Sequence, residues 1–246
     1  MVKVLISGIG GRLGRSTLQA LAKSNQATCI GGLDILPQNL SDIPTFCTPQ
    51  EISVKPDVVI DFSHFDSTDT LVPFCVERKI PLVICTTGHT QKQQETIQKA
   101  SKIIPIFKSA NVSLGVSLLI KLAKLAKVAL PEYDIEIIET HHNIKKDSPS
   151  GTALMLANSL NESGEKKLVN GRNANSSARK PNELGIHAVR GGSVIGKHEV
   201  LFLGQEDTIT LTHEAQSKQM FAEGAIKCAI YLTNQPAGLY NMEDLV

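Results

Sequence analysis

Hydrophobic and polar positions alternate between two rhythms in the first half of the chain. Short β-rich apolar runs at residues 3–7, 27–33, 57–62, 81–87 and 103–107 read as strands. The stretches between them carry helical periodicity. Residues 15–24 place Leu18, Leu21 and Ala22 on one face. Residues 68–79 follow a cap at Asp66 or Ser67, and Pro73 there is either absorbed as a kink or marks a late start. Thr90 opens a third helix, with Gln93 in capping-box position. Residues 38–54 form a polar connection containing Pro44 and Pro49. Strands alternating with helices predict right-handed crossovers and a parallel sheet.

The second half changes character. Residues 114–130 predict an amphipathic helix ended by Pro131, with Leu118, Leu122, Leu125 and Ala129 as its apolar stripe and Lys121, Lys124 and Lys127 as a solvated face. Residues 133–140 read as a strand, and an apolar helix follows the polar segment 141–152. Residues 161–183 are polar and read as a mobile surface loop or lid. Strands at 193–203 and 208–212 are joined by a hairpin turn at 204–207, with Val194, His198, Val200 and Phe202 alternating onto one side. Strands without intervening helices signal a mixed or antiparallel sheet, hence a second domain. A last amphipathic helix over 217–233 has Met220, Phe221, Ala225, Cys228 and Leu232 as core contacts, and residues 234–246 show no element. The fold class is α/β: an N-terminal Rossmann-like parallel-sheet domain plus a second, mixed α+β domain.

Charge and cysteine usage narrow the function. Lys plus Arg number 25 against 24 Asp plus Glu, which argues against a nucleic-acid wrapper or a polybasic membrane binder. No apolar run is long enough to span a bilayer and no secretory signal is seen. Five scattered cysteines without a C-x-x-C, most of them in apolar surroundings, suggest that most are core thiols, in a reducing cytoplasm.

Candidate chemistry gathers at strand ends. Glycines at 8, 11 and 14 stand between the first strand and the first helix, a G-x-x-G-x-x-G variant of the dinucleotide turn. Such glycines let backbone approach a pyrophosphate, and the helix N-terminus neutralises it. Asp34 ends the second strand 20 residues after Gly14, where a carboxylate accepts from a ribose diol; its alternative is a solvated turn residue before Pro37. No Arg or Lys stands beside Asp34 to pair with a 2′-phosphate, so NADH is favoured over NADPH. Phe62-Ser63, Thr86-Thr87-Gly88 and Ser109-Ala110-Asn111 end three further strands, where ligands gather in open α/β sheets.

A second concentration lies at residues 139–152, ETHHNIKKDSPSGT. Two histidines, lysines and an aspartate run into a helix start. Ser148 can cap it with Pro149 at the first position, or Ser150 can cap it a turn later; either way the N–H groups of Gly151 and Thr152 are aimed at an anion. In extended chain His141 and His142 point to opposite sides, so at most one does the central proton transfer. A site that protonates or reduces a small carboxylate needs these parts; a polar loop capping a helix is the plainer alternative. His187, His198 and His213 lack the spacing of metal ligands and read as hydrogen-bonding histidines, so no metal is expected.

The blocks GIGGRLGR at 8–15, DFS at 61–63, TTG at 86–88, SANVSLGV at 109–116, EIIETHHNIKKDSPSGTA at 136–153, GIHAVRGGSVIGKHEV at 185–200 and HEAQSKQMFAEGA at 213–225 resemble the dihydrodipicolinate reductase family of lysine and diaminopimelate biosynthesis. The resemblance runs nearly end to end. It implies NAD(P)H-dependent reduction of 4-hydroxy-tetrahydrodipicolinate to tetrahydrodipicolinate, with loss of water. It also implies a dinucleotide-binding domain of residues 1–111 completed by 217–246, and a substrate-binding and tetramerisation domain of residues 112–216. In its terms His141 is the acid/base and Lys145 the proton donor beside the substrate. His142, Ser150, Gly151 and Thr152 contact the dicarboxylate. Gly8, Ile9, Gly10, Gly11, Arg12 and Leu13 hold the dinucleotide with Asp34, as do Cys85, Thr86 and Thr87 and the segment Ser109, Ala110, Asn111 and Val112. Cys85, Ser109 and Val112 depart from the family's usual Gly, Ala and aromatic or Met, and Ile35 stands where some members carry Arg. The competing readings are a same-fold reductase of another small carboxylic substrate, a non-catalytic dinucleotide-binding regulator, and a metal-dependent hydrolase.

Overall fold

Val4, Leu5 and Ile6 of the first strand, β1 (Val2–Ser7), are fully buried, as are Val58, Val59 and Ile60 of β4 (Val58–Asp61). A strand apolar on both faces belongs in a parallel sheet covered on both sides. The computed structural model describes residues 1–36, 39–40 and 42–246, so Pro37, Gln38 and Ser41, on which part of the predicted 38–54 connection and the turn at Pro37 fall, lie outside the described residues. The chain divides into two units, Met1–Leu114 with Gln219–Val246, and Gly115–Lys218.

The first unit continues with β2 (Ala27–Leu33), β3 (Thr45–Phe46), β5 (Leu82–Ile84) and β6 (Pro105–Lys108), interleaved with α1 (Arg12–Leu21), α2 (Thr68–Arg78) and α3 (Gln91–Ala100). Pro73 is absorbed inside α2, which starts at Thr68. The Thr90–Gln93 capping box forms at the start of α3, satisfying two otherwise orphaned backbone donors.

The second unit holds most of α4 (Leu114–Ala129), then β7 (Asp134–His141), α5 (Gly151–Leu160), β8 (Lys167–Asn170), β9 (Glu183–Arg190), β10 (Lys197–Leu203) and β11 (Thr208–Glu214). Its sheet runs β11-β10-β7-β9-β8, parallel at β7/β9 and β8/β9 and antiparallel at β10/β7 and β10/β11. The odd-numbered face of β7 packs Ile135 and Ile137 with Leu184, Ile186, Val200 and Phe202 against α4 and α5. The chain then returns to the first unit through α6 (Gln219–Leu232), β12 (Gly238–Tyr240) and α7 (Met242–Leu245). The completed first sheet is parallel, in the order β12-β6-β5-β4-β1-β2-β3.

Four expectations are corrected. Leu118, Leu122 and Leu125 of α4 are 47%, 42% and 62% exposed, and the face turned inward is Val116, Leu119 and Ala123. The helix is apolar on nearly every side, so periodicity permits two stripes and packing on β7 selects one. The 161–183 stretch is not a plain loop: β8 pairs with β9, and Arg172 and Arg179 bind Glu183 and Glu136 at 2.7 and 2.9 Å. Leu168 and Val169 are too short an apolar run to announce that edge strand. The predicted strand 193–203 is confined to β10, and the strand preceding it is β9. Residues 238–240 are the seventh strand of the first sheet, legible only through their partners Pro105, Ile106 and Phe107. No helix among the described residues is long and apolar enough to cross a membrane.

Candidate active site

In the first unit the glycine turn follows β1. Gly8 has φ +75°, and a Cβ there would lie 2.9 Å from the Phe62 carbonyl carbon. Gly14 lies in the first turn of α1, where a Cβ would stand 2.2 Å from the Gly8 carbonyl oxygen. Ile9 is fully buried and anchors the turn from below. Gly11 caps α1 without a side chain and no acidic residue follows, so the positive end of the helix carries no anion of its own beside the exposed Arg12 and Leu13. The Gly10 N–H donates to Asp34 Oδ2 at 2.8 Å, joining the end of β2 to this turn.

Buried Asp61 organises the next strand end. It accepts from Ser63 N–H at 3.1 Å, Ser63 Oγ at 2.5 Å and Thr86 Oγ1 at 2.8 Å. Thr87 is exposed beyond it. Burial, with Cys228 and Asp61 nearby, raises the Cys85 thiol well above its ordinary value, so it stays protonated. After β6, Ser109 Oγ donates to Asn111 O at 2.7 Å and accepts from Asn111 N–H at 3.2 Å, and Asn111 Oδ1 accepts from Ser113 N–H at 2.9 Å. Ala110 is exposed and Val112 buried. The predicted residues at 8–13, 34, 85–87 and 109–112 thus all lie after the carboxyl ends of β1, β2, β5 and β6.

In the second unit β7 ends in Glu139 and His141, which share one face because strand side chains alternate. Glu139 is fully buried. Its Oε2 lies 2.5 Å from His141 Nδ1 and accepts from Arg190 at 2.8 Å; its Oε1 accepts from Arg190 at 2.8 Å and from Ser150 N–H at 3.0 Å. Burial pushes this carboxyl up, but the Arg190, His141 and Ser150 bonds outweigh it and hold it below the ordinary value. His141 is lowered, first by burial and then by Lys145 and Arg190, against the raising effect of Glu139. Buried His198 places Nε2 3.1 Å from Ser150 Oγ and stacks edge-on to His141 at 5.2 Å; burial and His141 push it down to about 4.

Of the two candidate caps, Ser150 is used, accepting from Ala153 N–H at 3.2 Å. Gly151 is exposed at the first helical position and Thr152 is half-buried at the second. Lys145 Nζ lies 2.8 Å from Asp147 Oδ1, and that bond lowers the Asp147 carboxyl. His142 donates its backbone N–H to Val194 O at 2.7 Å, and its Nδ1 is buried without a hydrogen-bond partner. His187 turns to the other sheet face and meets Glu136 Oε2 at 2.8 Å. No group of three or more His, Cys, Asp or Glu side chains is placed to hold a metal among the described residues. His198 and His187 make hydrogen bonds, as expected of them, but Glu139 and Arg190 were not among the expected site residues. Glu139 was detectable, two residues before His141 on a strand; Arg190 lies 51 residues from its partner and carries no local signal.

A parallel sheet with a glycine turn at its first strand end, joined to a mixed-sheet unit carrying a histidine–carboxylate cluster, defines a two-unit oxidoreductase of the Rossmann class. Two family models, dihydrodipicolinate reductase N-terminus and C-terminus, match residues 2–112 and 115–246, and the chain belongs to the dihydrodipicolinate reductase family. It is 45% identical to 4-hydroxy-tetrahydrodipicolinate reductase of Caldanaerobacter subterraneus over 100% of this chain and 98% of that protein. It is 42% identical to the enzyme of the same name from Clostridium tetani, over 100% and 97%. Dipicolinate-bound dihydrodipicolinate reductase from Paenisporosarcina sp. TG-14 superposes with a TM-score of 0.85 over 100% of both chains, at 25% identity. A probable dehydrogenase from Thermotoga maritima, 12% identical with a TM-score of 0.62 over 99% of this chain and 92% of that one, shares the fold.

Proposed function

We propose that the chain reduces 4-hydroxy-tetrahydrodipicolinate to tetrahydrodipicolinate with NADH or NADPH, releasing water, in lysine and diaminopimelate biosynthesis. The observation that carries this reading is the match of one reductase family to both halves of the chain, residues 2–112 and 115–246. The substrate is a cyclic dicarboxylate, as is the dipicolinate bound by the Paenisporosarcina relative.

Residues 1–111 with 217–246 form the dinucleotide-binding domain, and residues 112–216 the substrate-binding domain. The glycine turn fits a dinucleotide: Cβ atoms at Gly8 and Gly14 would fill or break the backbone cradle, and the start of α1 has no anion of its own. Gly8, Ile9, Gly10, Gly11, Arg12 and Leu13 would hold the pyrophosphate side and Asp34 the ribose. The strand-end segments 85–87 and 109–112 would line the nicotinamide. When bound, the reduced nicotinamide supplies the hydride.

His141 exchanges a proton with the substrate, a task that suits an imidazole and contributes ~10²–10⁴ in rate. Lys145 donates a proton and places a cation beside the dicarboxylate. The N–H groups of Gly151 and Thr152, with the Thr152 hydroxyl, hold one carboxylate at the start of α5, which Ser150 shapes as cap. His142 contacts the substrate. Asp34 is followed by exposed, apolar Ile35, which favours NADH because residue 35 offers no cation to a 2′-phosphate. The enzyme works in the cytoplasm as a homotetramer built by its second unit.

A steady-state assay with the product of dihydrodipicolinate synthase, run with NADH and NADPH, tests the reading. Turnover with the higher kcat/KM for NADH is expected. Tight nucleotide binding without turnover would replace it with the regulator reading.

A further inference from the structure

We infer that Glu139, clamped by Arg190, is the positioning residue that fixes the tautomer of His141 and leaves its Nε2 as the proton-exchanging atom. The inference rests on the reading of His141 as the acid/base. It begins with hydrogen-bond accounting. An ionised carboxylate only accepts. Glu139 takes two bonds from the Arg190 guanidinium, one from the Ser150 N–H and one at His141 Nδ1, so its acceptor sites are fully used. Two of those bonds come from the Arg190 cation, which keeps the carboxylate ionised in a site where the residue is fully buried. His141 Nδ1 therefore has to be the donor, and in a neutral imidazole the remaining nitrogen, Nε2, holds the lone pair.

The surroundings of Nε2 agree. Gly196 lies beside it: a Cβ there would stand 3.0 Å from Nε2, so the residue that precedes β10 puts no side chain against this atom, while His198 of β10 meets the ring edge-on. Arg190 has a second consequence. A lone carboxylate would drive His141 toward imidazolium, but the guanidinium shares that charge, and Lys145 adds repulsion. The ring is thus oriented by Glu139 without being charged by it. At rest His141 receives a proton at Nε2 before it gives one, which leaves Lys145 as the group holding a proton ready. Arg190 also donates to Asp147 O at 2.7 Å, so the clamp grips both ends of the polar segment that carries Lys145.

The test uses the full-length enzyme with selectively ¹⁵N-labelled histidine. Long-range ¹H–¹⁵N correlation spectra at neutral pH report the His141 tautomer, assigned by comparison with His141→Gln. The Nδ1–H form is expected; the Nε2–H form in the wild-type enzyme overturns the inference, whether or not any variant folds. In Glu139→Gln the amide can donate to Nδ1, so the tautomer should invert. Turnover should then fall about 10²-fold or more while NADH affinity stays within about twofold. The acid limb of kcat/KM should also move to lower pH, because the anion that raises His141 is gone. Folded Glu139→Gln with wild-type kcat overturns the inference as well. Should the wild-type enzyme prove inactive on 4-hydroxy-tetrahydrodipicolinate while His141 shows the Nδ1–H form, the functional reading fails and the positioning by Glu139 stands.

Discussion

Asp34 Oδ2 accepts a hydrogen bond from the Gly10 N–H at 2.8 Å, so the carboxylate at the end of β2 holds the glycine turn at the end of β1. The two residues are 24 positions apart, and each lies in the predicted dinucleotide site. Asp34→Ala removes this tether and, with it, the proposed ribose acceptor. A hydrogen bond to a charged group contributes ~1.5–3 kcal/mol. KM for NADH should therefore rise roughly 10–100-fold, with a much smaller change in kcat. Steady-state kinetics with varied NADH checks this; an unchanged KM would remove Asp34 from the cofactor site.

His141→Gln removes the imidazole while retaining a polar side chain of similar reach. Turnover should fall by ~10²–10⁴. NADH binding, followed by fluorescence titration, should persist, because His141 belongs to the second unit and the glycine turn to the first. Retained turnover would dismiss His141 as the acid/base.

Lys145→Ala removes the cation proposed as proton donor beside the substrate. Both kcat and substrate affinity should suffer, each by about 10-fold or more. The matched loss separates this residue from Asp34, whose effect falls on the cofactor. Damage confined to NADH affinity would contradict the assignment.

Buried His198 makes the protein acid-sensitive. Its ordinary value is 6.5 and the fold holds it at about 4. Between these the unfolded chain binds a proton that the folded chain refuses, so stability falls as pH drops. The contribution is fully present above 6.5 and is lost as pH falls toward about 4, at most about 3 kcal/mol over that window. Urea unfolding at pH 7 and pH 4.5 should show a smaller pH-dependent loss for His198→Gln than for the parent. Equal losses would show that His198 does not carry the effect.

Gly224 of α6 permits a close approach to the segment after β6: a Cβ there would lie 1.9 Å from the Val112 carbonyl oxygen. Gly224→Ala should destabilise by ~1–3 kcal/mol, as overpacking of a close-packed contact does. Its displacement of Val112 should also weaken NADH binding. Thermal unfolding with and without NADH checks both effects.

Much of this protein was readable from local chemistry. Apolar runs bounded by Gly and polar clusters mark β1, β2, β4, β5 and β6, since a strand buried on both faces needs no partner to be recognised. Thr90 and Gln93 mark the start of α3 because a capping box is closed within one turn. The glycines at 8 and 14 are legible because their need is local to a tight turn and to the first turn of α1 that packs on it. The segment 139–152 likewise displays its histidines, lysines and helix start in consecutive residues. Tertiary structure decided what depends on distant partners. The C-terminal strand β12 exists because β6 offers an edge, and β8 because β9 does. Which stripe of α4 turns inward was decided by Ile135 and Ile137, since the helix alone is apolar on too many sides. The same holds at the chemistry: residues 139–141 supply a carboxylate and a histidine on one strand face, but the state of that pair is set by Arg190, 51 residues away. Only the register of β7 against β9 brings that charge to the pair, and a chain's order of residues does not display a register that two separate strands create by pairing.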